Sequence, residues 1–322
     1  MTTEPDADLA LLRELEPVVE TNLNRHLTTA KEWFPHEYVP WSQGRDFDGV
    51  LGGLAWEPGQ SKLSEVARVS LVVNLLTEDN LPSYHHEIAV QFGRDGAWGT
   101  WVHRWTAEEG RHGVAIRDYL LATRAVDPVA LERARMTHMQ TGFTSEYAGV
   151  LESIGYVSFQ ELATRVAHRN TGKISGDPVC DQLLLRVAQD ENLHMLFYRN
   201  LLGAAFELAP NATMRAVCEV IKSFQMPGHT IENFGRKSAQ IAMAGIYDLR
   251  IHHDEVVAPI LRQLRVFERG GLSGDGEAAR EELAAFLAGL DRNASRFTER
   301  REAVNARVRA RAVSVAGQSV AT

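Results

Sequence analysis

One spacing, used twice, constrains this chain more than any other feature. Glu109-Gly-Arg-His112 and Glu191-Asn-Leu-His194 are Glu-x-x-His pairs, and a lone glutamate precedes each, Glu78 by 31 residues and Glu161 by 30. At i, i+3 on a helix both side chains of a pair share a face. An interval of that length holds one helix, a turn and part of the antiparallel return. Each half therefore sets a helix with one glutamate opposite a helix with a glutamate and a histidine. The pairs alone carry little weight: with 27 Glu and 12 His in 322 residues, roughly one arises by chance. The matched lone glutamates turn two common pairs into a constellation.

Four carboxylates and two imidazoles projecting from four helices is the arrangement that ferritin-like bundles use for paired metal ions. The spacing thus predicts an all-α, ferritin-like four-helix bundle with additional flanking helices. Its dinuclear site would be ligated by Glu78, Glu109, His112, Glu161, Glu191 and His194. Four carboxylates can offset two divalent ions, and such an oxygen-rich set suits iron or manganese better than zinc-thiolate or copper. Cys180 and Cys218 lack CxxC spacing, so neither a zinc module nor an iron–sulfur site is expected. Glu108 and Asp190 stand at i−4 from His112 and His194. They could be ligands themselves, although orienting an imidazole is the better reading.

The rest of the chain agrees with helices. Apolar residues recur at helical spacing, as in Val66, Val69, Leu71, Val73 and Leu76, and no clear alternating strand pattern or hairpin signal stands out. Helices are expected near 8–29, 64–91, 96–124, 128–141, 145–171, 178–206, 211–225, 232–245, 254–268 and 276–311. Asp127-Pro128 and Asp177-Pro178 read as cap-plus-proline starts, and Pro82 should kink the second helix one turn past Glu78. The expected organisation is an N-terminal helix and wrapping loop over 1–60, the bundle over 61–269, and a C-terminal basic helix and tail over 270–322, behind a glycine-rich linker. A net charge of −8 argues against a nucleic-acid partner, although seven Arg against three acids from Asp291 to Ala312 make that tail locally basic. The acidic N-terminus and the lack of a membrane-length apolar run predict a cytoplasmic protein with no integral membrane segment.

Four stretches resemble the soluble acyl-acyl carrier protein desaturases, the stearoyl-type enzymes of plastids and their actinobacterial relatives. They are Thr77-Glu78-Asp79-Asn80-Leu81-Pro82-Ser83-Tyr84, Trp105-Thr106-Ala107-Glu108-Glu109-Gly110-Arg111-His112, Ser158-Phe159-Gln160-Glu161-Leu162-Ala163-Thr164 and Asp190-Glu191-Asn192-Leu193-His194. The resemblance runs from about Leu15 to Phe267 and is closest to the actinobacterial branch. It implies that the six residues bind two Fe ions, and that the enzyme uses O2 to place a cis double bond in a saturated chain on acyl carrier protein, in fatty acid biosynthesis. It also implies ferredoxin or a similar donor, a homodimer, and an electron path through Trp33, His112 and Asp190. Trp33 has a second reading, as simple packing of the wrapping loop. Thr164 would face the metals and assist oxygen activation; the alternative is a helical threonine bonding its own backbone.

One position departs from the family. Gly110 stands where Glu-Glu-Asn-Arg-His motifs carry Asn, which removes no ligand but costs about 1 kcal/mol of helix propensity. An acidic carrier requires a local basic surface, for which Arg165, His168, Arg169 and Lys173, or the Arg-rich tail, are candidates. The rival readings are a ferritin-like oxidase without organic substrate, a non-catalytic relative that binds acyl carrier protein, and a radical-generating subunit using Tyr84 or Tyr156.

Overall fold

The computed structural model describes residues 4–319. It is all-α, in the order α1 (Glu4–Thr29), α2 (Glu65–Asp79), α3 (Leu81–Phe92), α4 (Gly96–Ala122), α5 (Pro128–Thr141), α6 (Val150–Ser175), α7 (Pro178–Leu208), α8 (Pro210–Ser223), α9 (Phe234–Met243), α10 (Leu249–Ile251), α11 (Ala258–Gln263) and α12 (Asp275–Ser319). A π-helical segment, His252–Val257, joins α10 to α11. Between α1 and α2 the chain wraps around the bundle through single 3-10 turns. Among the described residues no strand forms, and one isolated bridge joins Phe47 to Leu54.

Local chemistry sets the boundaries. Ser64 caps α2 by accepting from the Ala67 N–H, Asp127 caps α5 through Val129 and Ala130, and Asp177 caps α7 through Val179. Both Asp-Pro starts therefore behave as expected. Gly176, at φ 71°, terminates α6 in the left-handed region where glycine carries no penalty. The single kinked helix expected over 64–91 is instead two helices. Pro82 falls in the first turn of α3, and its ring would clash with the carbonyl four residues back. The chain breaks at Asn80, immediately after the turn that carries Glu78.

The bundle proper is α2, α4, α6 and α7, with α6 and α7 forming the most extensive pairing. Helix α1 lies across α4 and α7, and α8 and α12 flank the far side. Leu71, Leu75, Ile116, Leu120, Leu184 and Val187 fill one part of the core, and Ile154, Phe159, Leu201 and Phe206 fill the other. Each such side chain contributes about 1.5–3 kcal/mol by leaving water. Gly113 matters for the site: a Cβ there would stand 3.6 Å from Glu78 Cβ and 3.1 Å from Asp79 Oδ1. Glycine thus lets α4 approach α2 at the level of Glu78. Arg301 pairs with buried Asp248, and Arg250 with Asp291, which fastens α12 to the segment around α10. Among the described residues no helix is long and apolar enough to cross a membrane.

Candidate metal centre

The four bundle helices bring all six spaced residues together: Glu78 from α2, Glu109 and His112 from α4, Glu161 from α6, Glu191 and His194 from α7. They form two overlapping groups, each with its ligand-type atoms within 4.8 Å of one another. One is Glu78, Glu109, His112 and Glu191; the other is Glu109, Glu161, Glu191 and His194. Glu109 and Glu191 belong to both, the geometry of two carboxylates shared by neighbouring ions. Every member is buried.

The donors also suit metal rather than each other. His112 Nδ1, His194 Nδ1, Glu109 Oε1, Glu161 Oε2 and Glu191 Oε1 are buried and make no hydrogen bond, although His194 Nδ1 and Glu109 Oε1 are only 2.8 Å apart. Orphaned buried polar atoms on this scale need a partner. Burial, and then the charges of Glu109 and Glu161, push the Glu191 carboxyl well above its ordinary range. Four carboxylates in one dry site cannot all ionise without nearby cations. Two divalent ions fit this donor set and would supply that charge.

The imidazoles are oriented by carboxylates, each from the opposite helix. Glu108 and Asp190 each reach the histidine of the opposite helix rather than the one four residues on. His194 Nε2 lies 2.9 Å from Glu108 Oε2, and His112 Nε2 lies 3.5 Å from Asp190 Oδ2. With Nε2–H donated to a carboxylate, each Nδ1 is left bare toward the centre. Burial alone would raise Glu108, yet hydrogen bonds from His194 and His26 hold it well below the carboxylate range. Asp190 is likewise held down against its burial by His112 and Trp33. Trp33 donates to Asp190 at 2.7 Å, which joins Trp33, Asp190 and His112 in one hydrogen-bonded chain. Arg186 and Arg111 also hold Asp190, and both guanidiniums lie over the Trp33 ring.

Three supporting residues escaped the sequence reading. His26, from α1, bonds Glu108 at 2.9 Å; Trp105 donates to Glu161 Oε1 at 3.0 Å; His168 bonds Glu78 Oε1 at 2.9 Å and is itself held by Asn74. His168 was expected on a basic surface patch, and the structure buries it instead. Its place seven residues after Glu161, on the same α6 face, was the available signal.

On the side away from the histidines lies an apolar cavity of about 380 Å³, which touches Glu78, Glu109, Glu161 and Glu191. Ser153, Val157, Glu161, Thr164 and Ala167 line it along α6, a run of roughly 21 Å at 1.5 Å per residue. Thr164 accepts a hydrogen bond from Gln160 Nε2 at 2.9 Å, so its own hydroxyl proton is available to the cavity. Tyr84 and Tyr156 line the same space. Gly110 faces away from the centre: a Cβ there would meet only Leu81 Cδ2, at 3.7 Å. Arg165, Arg169 and Lys173 open on a different face of α6, around a polar cavity of about 580 Å³ shared with Lys31 and Arg186.

Comparison with known proteins agrees with this arrangement. The sequence matches the family described as "Fatty acid desaturase" over residues 7–314. It is 54% identical over 298 residues to the Mycobacterium tuberculosis protein named "Putative acyl-[acyl-carrier-protein] desaturase DesA1", covering 90% of this chain and 88% of that one. It is 27% identical over 319 residues to the spinach "Stearoyl-[acyl-carrier-protein] 9-desaturase, chloroplastic", covering 92% and 78%. The X-ray structure of "putative acyl-ACP desaturase DesA2" from M. tuberculosis H37Rv superposes with a TM-score of 0.65 at 34% identity, over 79% of this chain and 99% of that one. An all-α bundle with paired Glu/His groups, matched to this family over nearly its whole length, places the chain in the fatty acid desaturase family of oxidoreductases.

Proposed function

We propose that the protein is an O2-dependent desaturase that introduces a cis double bond into a saturated acyl chain carried on acyl carrier protein, in fatty acid biosynthesis. The observation that supports it most is the contact between the four site carboxylates and a long apolar cavity. Glu78 and His112 would hold one iron, Glu161 and His194 the other, with Glu109 and Glu191 shared between them. Two irons would supply the redox chemistry that an unactivated C–H bond demands, since no side-chain acid or base can break one.

The chain's own residues do the rest. The cavity walls strip water from the acyl chain and hold adjacent carbons beside the carboxylates, so orientation is set before reaction. Thr164 places a hydroxyl proton at the cavity face of Glu161's helix. Glu108 and Asp190 keep each imidazole in one tautomer. The Trp33–Asp190–His112 chain offers a route for electrons, and Arg186 extends it to the polar cavity. That cavity, with Lys31, Arg165, Arg169 and Lys173, lies on another α6 face from the acyl cavity. It therefore suits an acidic electron donor such as ferredoxin, leaving acyl carrier protein at the mouth of the apolar cavity.

The test is to incubate iron-loaded protein with palmitoyl and stearoyl carrier protein, ferredoxin, its reductase and NADPH, and to look for unsaturated product by mass spectrometry. Absence of product from any saturated chain would overturn the proposal. A ferritin-like oxidase would instead oxidise many irons per chain, and the long apolar cavity speaks against it.

A further inference from the structure

The polar cavity between α6 and α7 is a hole as well as a patch. It encloses about 580 Å³, within the range of small-molecule sites, and a protein docked on this face covers such a hole without filling it. Five cations line it, Lys31, Arg165, Arg169, Lys173 and Arg186, against one carboxylate, Glu255. Two of the five are already paired, Arg169 with Asp181 at 2.9 Å and Arg186 with Asp190. Among the described residues no carboxylate comes within ion-pair distance of Lys31, Arg165 or Lys173. Arg165, Arg169 and Lys173 stand at i, i+4 and i+8, so like charges face each other along roughly 12 Å of α6. Arg186 closes the inner wall, buried, and its Nε–H has no hydrogen-bond partner. A solvated charge run spreads over an open face. Here the positive charge is gathered into a concavity around a buried guanidinium that lacks an acceptor.

We propose that this cavity binds a nucleoside di- or triphosphate through its phosphates, and that the bound anion closes the polar entrance to the Trp33–Asp190–His112 chain. The binding stands on the cavity alone, whereas its effect on electron entry rests on the reading that places the acidic donor on this face. A single phosphate reaches one or two members of the α6 row; linked phosphates engage Arg165, Arg169 and Lys173 together. The guanidiniums take phosphate oxygens in pairs, and the lysines act as point charges. Asn170, Gln189 and Asn192 offer amide donors and acceptors to the sugar and base. None of the described lining residues is aromatic, so no ring stacks on the base. Affinity therefore follows the number of phosphates and not the identity of the base. Once bound, the ligand puts negative charge where an acidic donor would dock, and like charges brought together suppress docking. It also sits against Arg186, the residue that holds Asp190 at the start of the chain.

The experiment titrates full-length, metal-free protein calorimetrically with inorganic pyrophosphate, ATP, GTP, AMP and sulfate. The expected result is a single site that takes pyrophosphate, ATP and GTP with similar affinity, and AMP and sulfate at least about tenfold more weakly. Arg165→Gln and Lys173→Gln strand no carboxylate, and each should weaken ATP binding about tenfold. Arg133→Gln, exposed on α5 and outside the cavity, should change nothing. Sulfate bound as tightly as ATP, no binding of any polyphosphate, or an equal loss in all three variants would overturn the proposal. A second arm follows reduction of the iron-loaded protein by reduced ferredoxin and by dithionite, with and without GTP. GTP should slow ferredoxin several-fold and leave dithionite unaffected, which also shows that the nucleotide strips no iron. An unchanged ferredoxin rate overturns the control of electron entry. Failure of ferredoxin to reduce even the nucleotide-free protein removes instead the reading of this face as the donor's.

Discussion

On its imidazole side the centre is wrapped in charge, and on its cavity side it is nearly bare. Asp190 is buried and meets Trp33, Arg111, Arg186 and His112, while Glu108 meets His26, His194 and Arg104. Across the site Glu78, Glu109, Glu161 and Glu191 look onto a cavity lined by Val157, Ile88 and Leu81, with His168 bracing Glu78 and Trp105 bracing Glu161. The contrast separates two tasks. A dense polar shell fixes tautomers and charge without moving during reaction, whereas an apolar wall leaves room for a chain that can be replaced by another.

The largest predicted effect tests the polar side. Asp190→Ala strands Arg186, only 7% exposed, and removing one partner of a buried pair costs about 3–5 kcal/mol. Glu108→Ala strands Arg104, whose side chain is 39% exposed and regains water, together with the buried imidazoles of His26 and His194, which unlike a guanidinium can be buried neutral, so the loss should be about 1–3 kcal/mol. Both should weaken metal binding roughly 10–100-fold, because each frees one imidazole. Chemical denaturation of metal-free protein and iron titration measure the two quantities. Equal stability losses would show that the two half-sites are balanced after all.

That asymmetry also marks where the sequence stops being legible. The clustering of the six residues was readable because a helix fixes which residues share a face, so 31- and 30-residue intervals imply opposed helices. The same rule leaves open which imidazole Glu108 and Asp190 orient: each stands four residues before a histidine of its own helix, while the bundle turns it toward the histidine of the neighbouring helix. His26, Trp105 and His168 carry no spacing signal of comparable strength, since their meaning depends on which helices touch. The break at Asn80 was half legible, as Pro82 announces a disturbance but not whether the helix bends or restarts.

A second effect comes from behind the cavity wall. His252, in the π-helical segment, stacks on Phe224 at 4.8 Å and bonds the hydroxyl of Tyr247, a cavity-lining residue, at 2.8 Å. Burial, with His253 adding to it, lowers its pKa to about 4, against about 6.5 in the unfolded chain. The folded protein therefore binds fewer protons than the unfolded between those values, and stability falls as pH drops from 6.5 toward 4. The loss should reach at most about 3 kcal/mol, and His252→Gln should flatten it. A denaturation series over that range decides the matter, and an unchanged slope in the variant would remove His252 from the account.

The cavity itself should respond without disturbing the metals. Ser153 is the first residue of α6 along the cavity and is buried, and Ala167 is the last and half-buried. Ser153→Phe should therefore favour shorter chains and raise KM for the longest accepted chain about tenfold, or ~1.4 kcal/mol. Ala167→Phe, at the other end, should lower turnover of all lengths alike. Iron content should stay at the wild-type level in both. The opposite pattern would mean that the chain lies in the cavity in the reverse direction.

The smallest effect joins the two sides. Gly110 lies in α4 between Glu109 and His112, yet among the described residues the close neighbour for an added Cβ is Leu81, which lines the cavity. Since a 3.7 Å contact is ordinary packing, Gly110→Ala should stabilise the metal-free protein by up to about 1 kcal/mol through helix propensity and a less flexible unfolded chain. Iron binding should not change, because no ligand and no shell carboxylate moves. If chain-length preference changes while iron content and stability follow this expectation, Gly110 sets the cavity through Leu81, and the polar side shapes the apolar one by a single methyl group.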